Sequence, residues 1–306
     1  MSFSSETKEE LIKLRLRGKQ QKLALFCGFT GAIGTIALNK RYGLCVRYTS
    51  ESLSVIRLIA KISGEFYDVQ SEISVQEGSF GSGSRNATLT LYGADAESIL
   101  KFSAILDSDE TIFGRIADDY DAIRIYIRGA FLACGSITDP SKSYHLELVC
   151  RTKDFVERIK KYCALFDVSI KTTKRKDAYI AYLKDSSEIS DFLKIIGASE
   201  STCALENVKL YRDVRNYANR TRNCDVANIQ KSATAAAAQV EAMQLVLDNV
   251  DDLPEHLEQT AKARIMYPHA TLSELSELLG IGRSGLYHRL HKIMEIADEL
   301  KQEKGE

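Results

Sequence analysis

The stretch "RGAFLACGSI", Arg128–Ile137, decides how this chain folds, because it has an echo about a hundred residues earlier: "FCGFTGAIGTI", Phe26–Ile36. Both are apolar, helix-like runs that end in Gly followed by Ser or Thr, and neither contains an acid. With Gly34 laid on Gly135, an offset of 101 residues, the match continues downstream. "IALNKRYGLCVRYTS" and "ITDPSKSYHLELVCRT" each read as two short strands around a turn, alternating in "LCVRY" and "LELVCR". Amphipathic helices follow, "SESLSVIRLIAKI" and "TKDFVERIKKYCALF", with Ser50 and Thr152 as expected N-caps. Two more strands come next, "EISVQEG…NATLTLYG" and "VSIKTTKRKDAYIAYLK". Each copy closes with a helix, "DAESILKFSAIL" or "SSEISDFLKIIGA". The order αββαββα is thus written twice, which is domain duplication, because solenoid repeats have periods of roughly 20–50 residues.

The small residues explain the first helix of each copy. Gly28, Ala32 and Gly34, like Gly129, Ala133 and Gly135, fall near one helix face. A face without large side chains lets two helix backbones approach closely. The expected architecture is therefore α+β: a pseudo-dimer in which the first helix of one copy packs on that of the other.

Composition sets the bounds. The chain has 306 residues, 44% hydrophobic and 27% charged, which suits a soluble globular protein of two or three domains. No run approaches the ~18 apolar residues of a membrane span, and "MSFSSETKEELIKLRLRGKQ" has no signal-peptide core. Seven cysteines form no CxxC pair, which fits buried thiols in a reducing cytoplasm better than disulfides or a zinc site. The net charge of −1 does not favour nucleic acid, so any such role must rest on local patches.

The duplicated pattern resembles the LAGLIDADG homing endonucleases. The resemblance implies a paired helix core under curved sheets that straddle DNA, with an acid before the final Gly of each helix holding catalytic metal. Here those positions are Ile33 and Cys134. Neither offers the hard oxygen that Mg²⁺ requires, so two-metal phosphoryl chemistry has no ligands and no cofactor is expected. Asp139 precedes Pro140 in a turn and Asp118 and Asp119 fall between the copies, which makes them poor substitutes. Candidate phosphate contacts remain on the strands: Lys40, Arg41 and Arg47 in the first copy, Lys171, Lys174, Arg175 and Lys176 in the second. Lysines that protect a solvated strand edge look the same in sequence. "LIKLRLRGKQQK" adds Lys13, Arg15, Arg17, Lys19 and Lys22 with no acid between them.

From Glu206, "ENVKLYRDVRNYANRTRNCDVANIQKSATAAAAQVEAM" reads as helix, with a break near residues 223–225 and then an Ala-rich helix. Arg212, Arg215, Arg220 and Arg222 make a basic arm that suits either phosphate contact or a solvated connector.

The last segment reads as three helices. Pro254 starts "PEHLEQTAKARIMYP" and Pro268 stops it. Thr271 and Glu274 form a capping box before "LSELSELLG", and Gly280 permits a tight turn into "GRSGLYHRLHKIMEIADEL". This is the helix-turn-helix plan, whose last helix enters the major groove of DNA. Candidate contacts are Thr271, Ser273, Arg283, Ser284, Tyr287, His288, Arg289 and Lys292. Arg283 or His288 is expected to read a base, and Arg289 and Lys292 the backbone. Between Gly282 and Lys292 there is no acid, although residues 251–306 as a whole carry eleven Asp and Glu against seven Lys and Arg. His288 and His291 share a helix face but have no further zinc ligand.

Three phrases, "RGAFLACGSITDP" (128–140), "ENVKLYRDVRNYANRTRNCDVANIQK" (206–231) and "LSELSELLGIGRSGLYHRLHKI" (272–293), resemble the WhiA regulators of Gram-positive bacteria. Cys134 departs from the Gly or other small residue expected there, but is small enough for close packing. The resemblance implies a degenerate LAGLIDADG-like domain joined to a C-terminal helix-turn-helix, binding double-stranded DNA without cutting it. It further implies a transcription regulator of sporulation in filamentous actinobacteria, and of cell division and chromosome segregation in other Gram-positive bacteria. The expected organisation is repeat 1 over 1–105, a linker over 106–120, repeat 2 over 121–200, a basic helical connector over 201–250 and the helix-turn-helix over 251–306. The expected partners are DNA and another transcription regulator or RNA polymerase. The expected state is a cytoplasmic, nucleoid-associated monomer with an internal pseudo-two-fold. An active nuclease and a nucleoid adaptor that binds protein through its saddle are the competing readings.

Overall fold

The structure, a computed structural model, describes residues 2–77, 85–102 and 119–303. Most of the expected 106–120 linker, Asp118, and the end of the helix read over 95–106 lie outside them. The chain divides into two compact units, Met1–Arg212 and Asp213–Glu306.

Unit 1 contains both copies. An additional helix, α1 (Phe3–Lys13), precedes them. Copy one runs α2 (Gly18–Ile33), β1 (Thr35–Asn39), β2 (Gly43–Ser50), α3 (Leu53–Phe66), β3 (Gln70–Glu77), β4 (Arg85–Tyr92) and α4 (Ala96–Phe102). Copy two runs α5 (Tyr120–Cys134), β5 (Gly135–Ile137), β6 (Leu146–Cys150), α6 (Lys153–Ala164), β7 (Lys171–Arg175), β8 (Ala178–Leu183) and α7 (Ser186–Ile196). The strands form two antiparallel sheets of the same order, β1-β2-β4-β3 and β5-β6-β8-β7. The duplication read in the sequence is therefore a duplication of topology.

Gly28 and Gly129 of the expected small-residue faces meet at the crossing, whereas Gly34 and Gly135 lie past the helix ends, as the C-caps of α2 and α5. A Cβ added to Gly28 would overlap the Tyr126 carbonyl and press on the Ala130 nitrogen. One added to Gly129 would overlap the Leu25 carbonyl and press on the Phe29 nitrogen. Gly28 and Gly129, like Leu25 and Tyr126, are one repeat offset apart, so each copy offers the other the same contact, as in a two-fold interface. Around this crossing Phe26, Phe29, Tyr48, Tyr126, Phe131 and Phe192 are fully buried. At about 1.5–3 kcal/mol for each large apolar side chain removed from water, they dominate the core. The sheets face it with Val46, Tyr48, Leu89 and Leu91 on one side and Leu146, Leu148, Cys150, Ala181 and Leu183 on the other.

Thr152 caps α6 as expected, accepting from the Phe155 amide. The cap of α3 is Ser52, which accepts from Val55, and not the expected Ser50. Ser50 is the last residue of β2, and its hydroxyl accepts from the Ser52 amide one step before the helix.

The break expected near 223–225 is absent. A single helix, α8, runs Ser199–Asn249 for 51 residues. Asn and Asp cost a helix interior only about half a kcal/mol each relative to Ala, which neighbouring good helix formers tolerate. Unit 2 continues with α9 (Glu255–Met266), α10 (Leu272–Leu278) and α11 (Arg283–Glu303). Its core joins Leu257, Ala261, Leu275, Leu286, Leu290, Ile293 and Ala297 to Ala242, Met243 and Val246 of α8. The end of the segment read as a connector thus supplies part of this core.

Candidate nucleic-acid interface

In unit 2 the turn between α10 and α11 follows the sequence reading. Thr271 accepts from the Glu274 amide at 3.2 Å while Glu274 accepts from the Thr271 amide at 2.7 Å. These bonds hold the Glu274 carboxyl below its usual pKa. Gly280 takes φ +61°, the left-handed conformation open to glycine at low cost. Ser276, buried where the helices cross, donates to the Ser273 carbonyl.

The apolar residues Leu286, Leu290, Ile293 and Ala297 turn α11 so that its opposite face is exposed. Along the first turns that face carries Ser284, Tyr287, His288, His291 and Lys292, all exposed. Tyr287 is 58% exposed, and its ring lies 6.2 Å from those of both His288 and His291. Arg283 stands on one shoulder of the face. With Thr271, Ser273, Asn228 and Ser232 it lines a cleft of about 970 Å³ between α8 and the turn.

Arg289 stands on the other shoulder, half-buried, and donates to the His256 carbonyl of α9 at 3.3 Å. Its position braces α11 against α9. Lys292 is exposed but pairs with Glu295 at 3.2 Å, and His291 reaches the same carboxylate at 3.2 Å. Lys292 holds the Glu295 carboxyl below the ordinary glutamate range. Glu295, one turn beyond the acid-free stretch, is thus the counter-charge to this strip.

The basic residues of α8 divide. Arg212 donates to the Ser141 carbonyl at 2.7 Å and covers the Tyr144 ring at 4.7 Å, so it belongs to the packing of unit 1. Arg215, Arg220 and Arg222 are exposed. Seven residues apart, Arg215 and Arg222 share a helix face, and Arg220 falls on another.

On the sheets of unit 1, Lys40 and Arg41 occupy the β1–β2 turn, with Arg41 over the Tyr42 ring at 5.2 Å. Arg47 lies on the outer face in one row with Thr35, Thr90 and Glu72. Lys171 shares the corresponding row of the second sheet with Ser136, Glu147 and Tyr182. Arg175 approaches Glu147 at 3.9 Å, Lys174 covers Tyr179 at 5.4 Å, and Lys176 sits in the β7–β8 turn with φ +53°. Each outer face therefore mixes its cations with an acid.

At the ends of the paired helices, Ile33 and Cys134 are half-buried. The Cys134 thiol lies 3.4 Å from the Ala130 carbonyl and 3.6 Å from the Cys150 sulfur. Neither Asp139 nor Asp119 replaces a ligand there. Asp139 accepts from the Ser141 amide in its own turn, and Asp119 caps α5. Among the described residues no three of His, Cys, Asp and Glu gather as a ligand set, and no helix is long and apolar enough to cross a membrane.

Comparison with known proteins decides the lineage. Residues 123–215 match the WhiA LAGLIDADG-like domain and residues 218–297 the WhiA C-terminal HTH domain. A protein of Thermoanaerobacter sp. strain X514, named "Probable cell division protein WhiA", is 34% identical over 99% of both chains. The chain belongs to the WhiA family. A Clostridium acetobutylicum relative of the same name is 32% identical over 99% of both chains. The full-length DUF199/WhiA crystal structure from Thermatoga maritima, 24% identical, covers 98% of this chain and 99% of its own with a TM-score of 0.62, which establishes the WhiA fold.

Proposed function

We propose that this protein is a sequence-specific DNA-binding transcription regulator that acts in cell division, chromosome segregation and, in a sporulating cell, sporulation, and that it does not cut DNA. The single observation that carries the reading is the exposed, acid-free first half of α11, positioned by the Gly280 turn. Arg283 and His288 offer base-edge donors, Ser284 and Tyr287 offer phosphate or base contacts, and Lys292 extends the cationic strip. The name carried by the curated relatives supports the cell-division role. Ile33 and Cys134 support the absence of cleavage, because an alkyl group and a thiol do not ligate Mg²⁺. The working partners are double-stranded DNA and another regulator or RNA polymerase, at the nucleoid, with the protein acting as a monomer.

Genome-wide chromatin mapping of the tagged protein tests this reading. Discrete peaks that share a sequence motif, lost in an Arg283→Ala, His288→Ala variant, are expected. Uniform coverage unaffected by that variant would refute sequence reading by α11. Incubation of the pure protein with plasmid and Mg²⁺ or Mn²⁺ should leave the plasmid intact. Metal-dependent nicking would instead favour the nuclease.

A further inference from the structure

Unit 1 carries a basic cleft that DNA reading by α11 does not use. It measures about 960 Å³ and lies where the α1–α2 connection meets the first turns of α5 and the end of α7. Arg15, Arg17, Arg124, Arg128 and Lys194 line it, with Asp121 as the acid among its lining residues.

Three features distinguish it from a solvated charged surface. The first is Arg128, which is only 8% exposed. Its Nε donates to the Ile196 carbonyl at 2.6 Å, the last carbonyl of α7. Among the described residues it has no carboxylate partner. Burial lowers its pKa to about 10. A buried cation without a counter-ion is costly, and one peptide carbonyl offsets only part of the lost hydration. The second feature is Gly197 at φ +86°. A Cβ there would stand 2.7 Å from an Arg128 terminal nitrogen, so the glycine leaves room for the guanidinium. The third is the start of α2. Its N-cap Arg17 makes no side-chain cap, its first turn has no acid, and Arg17 and Gly18 open it into the cleft, where the Gln21 side chain accepts the Arg17 amide at 2.7 Å and leaves the amides of the first turn itself uncapped. Uncapped amides at the positive end of a helix attract anions.

Arg15 and Arg17 are exposed and also lack carboxylate partners among the described residues. Arg124 is held by Asp121 at 3.8 Å and by the Phe166 ring at 5.1 Å, and Lys194 by Asp191 at 2.8 Å. Among the described residues, Arg15, Arg17 and Arg128 are thus the lining cations without a carboxylate partner. Guanidinium groups are suited to binding phosphate oxygens in pairs. Among the described residues, the apolar lining is Leu14, Leu16, Ile125 and Ile195, and no lining side chain is an aromatic ring on which a base could stack.

We propose that this cleft is a binding site for a compact phosphate-bearing anion of the diphosphate class, held by Arg128 at its base and by Arg15, Arg17 and the start of α2 at its rim. The ligand is small and lacks a base, and the site is independent of DNA reading by α11.

Titration calorimetry of the full chain with pyrophosphate, at fixed ionic strength and with sulfate as the control anion, tests the proposal. Saturable one-to-one binding of pyrophosphate, well above that of sulfate, is expected. Arg15→Ser with Arg17→Ser changes only exposed positions and should keep the thermal melt while weakening pyrophosphate by about tenfold or more. Arg128→Met should abolish binding, and the double serine variant keeps the test decisive if that chain fails to fold. No saturable binding, or unchanged affinity in the double variant, overturns the proposal. Displacement of pyrophosphate by random duplex DNA, together with a flatter salt dependence of DNA binding in the double variant, would also overturn it, by assigning the cleft to the DNA backbone.

Discussion

The buried carboxylate of Glu10 accepts the Ser201 amide at 3.0 Å and the Ser201 hydroxyl at 2.7 Å, and with its other oxygen the Glu200 amide at 2.7 Å. One side chain of α1 thus caps the start of the longest helix in the protein. The Ser201 hydroxyl also lies 3.0 Å from that of Thr7, which fixes the register of α1 against α8. Glu10→Ala would leave two helix-start amides without an acceptor. It should destabilise unit 1 by about 2–3 kcal/mol. Calorimetric melting is the check, and an unchanged unit 1 transition would show that water replaces the carboxylate.

The paired glycines make a symmetrical prediction. Gly28→Ala and Gly129→Ala each drive a methyl into a backbone carbonyl of the other helix, which a rotamer change cannot relieve. Each should cost about 3 kcal/mol or more, by similar amounts. Gly285→Ala, where the added carbon meets nothing within 4 Å, should cost little. Near-equal melting temperatures for all three would mean that the helices separate without penalty.

These glycines also show what the sequence could disclose. Gly28 and Gly129 are legible because a close crossing needs small residues at repeat-related positions, and the alternating strands are legible because their pleat buries every second side chain. Arg128 is less so: it opens the quoted stretch, yet nothing local says that its charge lies buried or that the end of α7, 68 residues away, receives its Nε. Glu295 was hidden in the same way. It falls outside the acid-free stretch, and only helix geometry brings it beside Lys292. The continuity of α8 through residues 223–225 is not legible in the sequence, because propensity is a weak prior.

Glu274 gives a pH prediction. Bonds to Thr271 depress its folded-state pKa, so its contribution is present above the unfolded carboxylate range and lost as pH falls through the folded value. The melting temperature of the wild type should exceed that of Glu274→Gln at neutral pH. The gap should close in acid, below the ordinary glutamate range. A gap that persists there would show that shape, not charge, carries the capping box.

On α8, Arg215→Ser, Arg220→Ser and Arg222→Ser together should weaken binding to specific and random DNA alike. Each lost phosphate contact should flatten the log–log salt dependence by roughly one unit. Arg212→Ser is different: with its guanidinium committed to Ser141 and Tyr144, it should leave that slope unchanged and lower the stability of unit 1. An unchanged slope in the triple variant assigns these arginines to the connector alone.

The two shoulders of α11 separate reading from bracing. Arg283 is exposed with its guanidinium free of any ion pair among the described residues, whereas Arg289 donates to the His256 carbonyl. Arg283→Ala should therefore cost about 1–3 kcal/mol on the specific site and much less on random DNA, lowering the specificity ratio. Its thermal stability should change by less than about 0.5 kcal/mol. Arg289→Ala should do the reverse, lowering the melting temperature of unit 2 with little change in that ratio. Glu295→Gln should tighten binding to both DNAs, because it releases Lys292 and His291 from their shared carboxylate, while Lys292→Ala should weaken both. Competition binding on specific and random duplexes at matched salt measures all four. If Arg283→Ala loses equal affinity on both duplexes, Arg283 only positions the helix, and the reader is among Ser284, Tyr287 and His288.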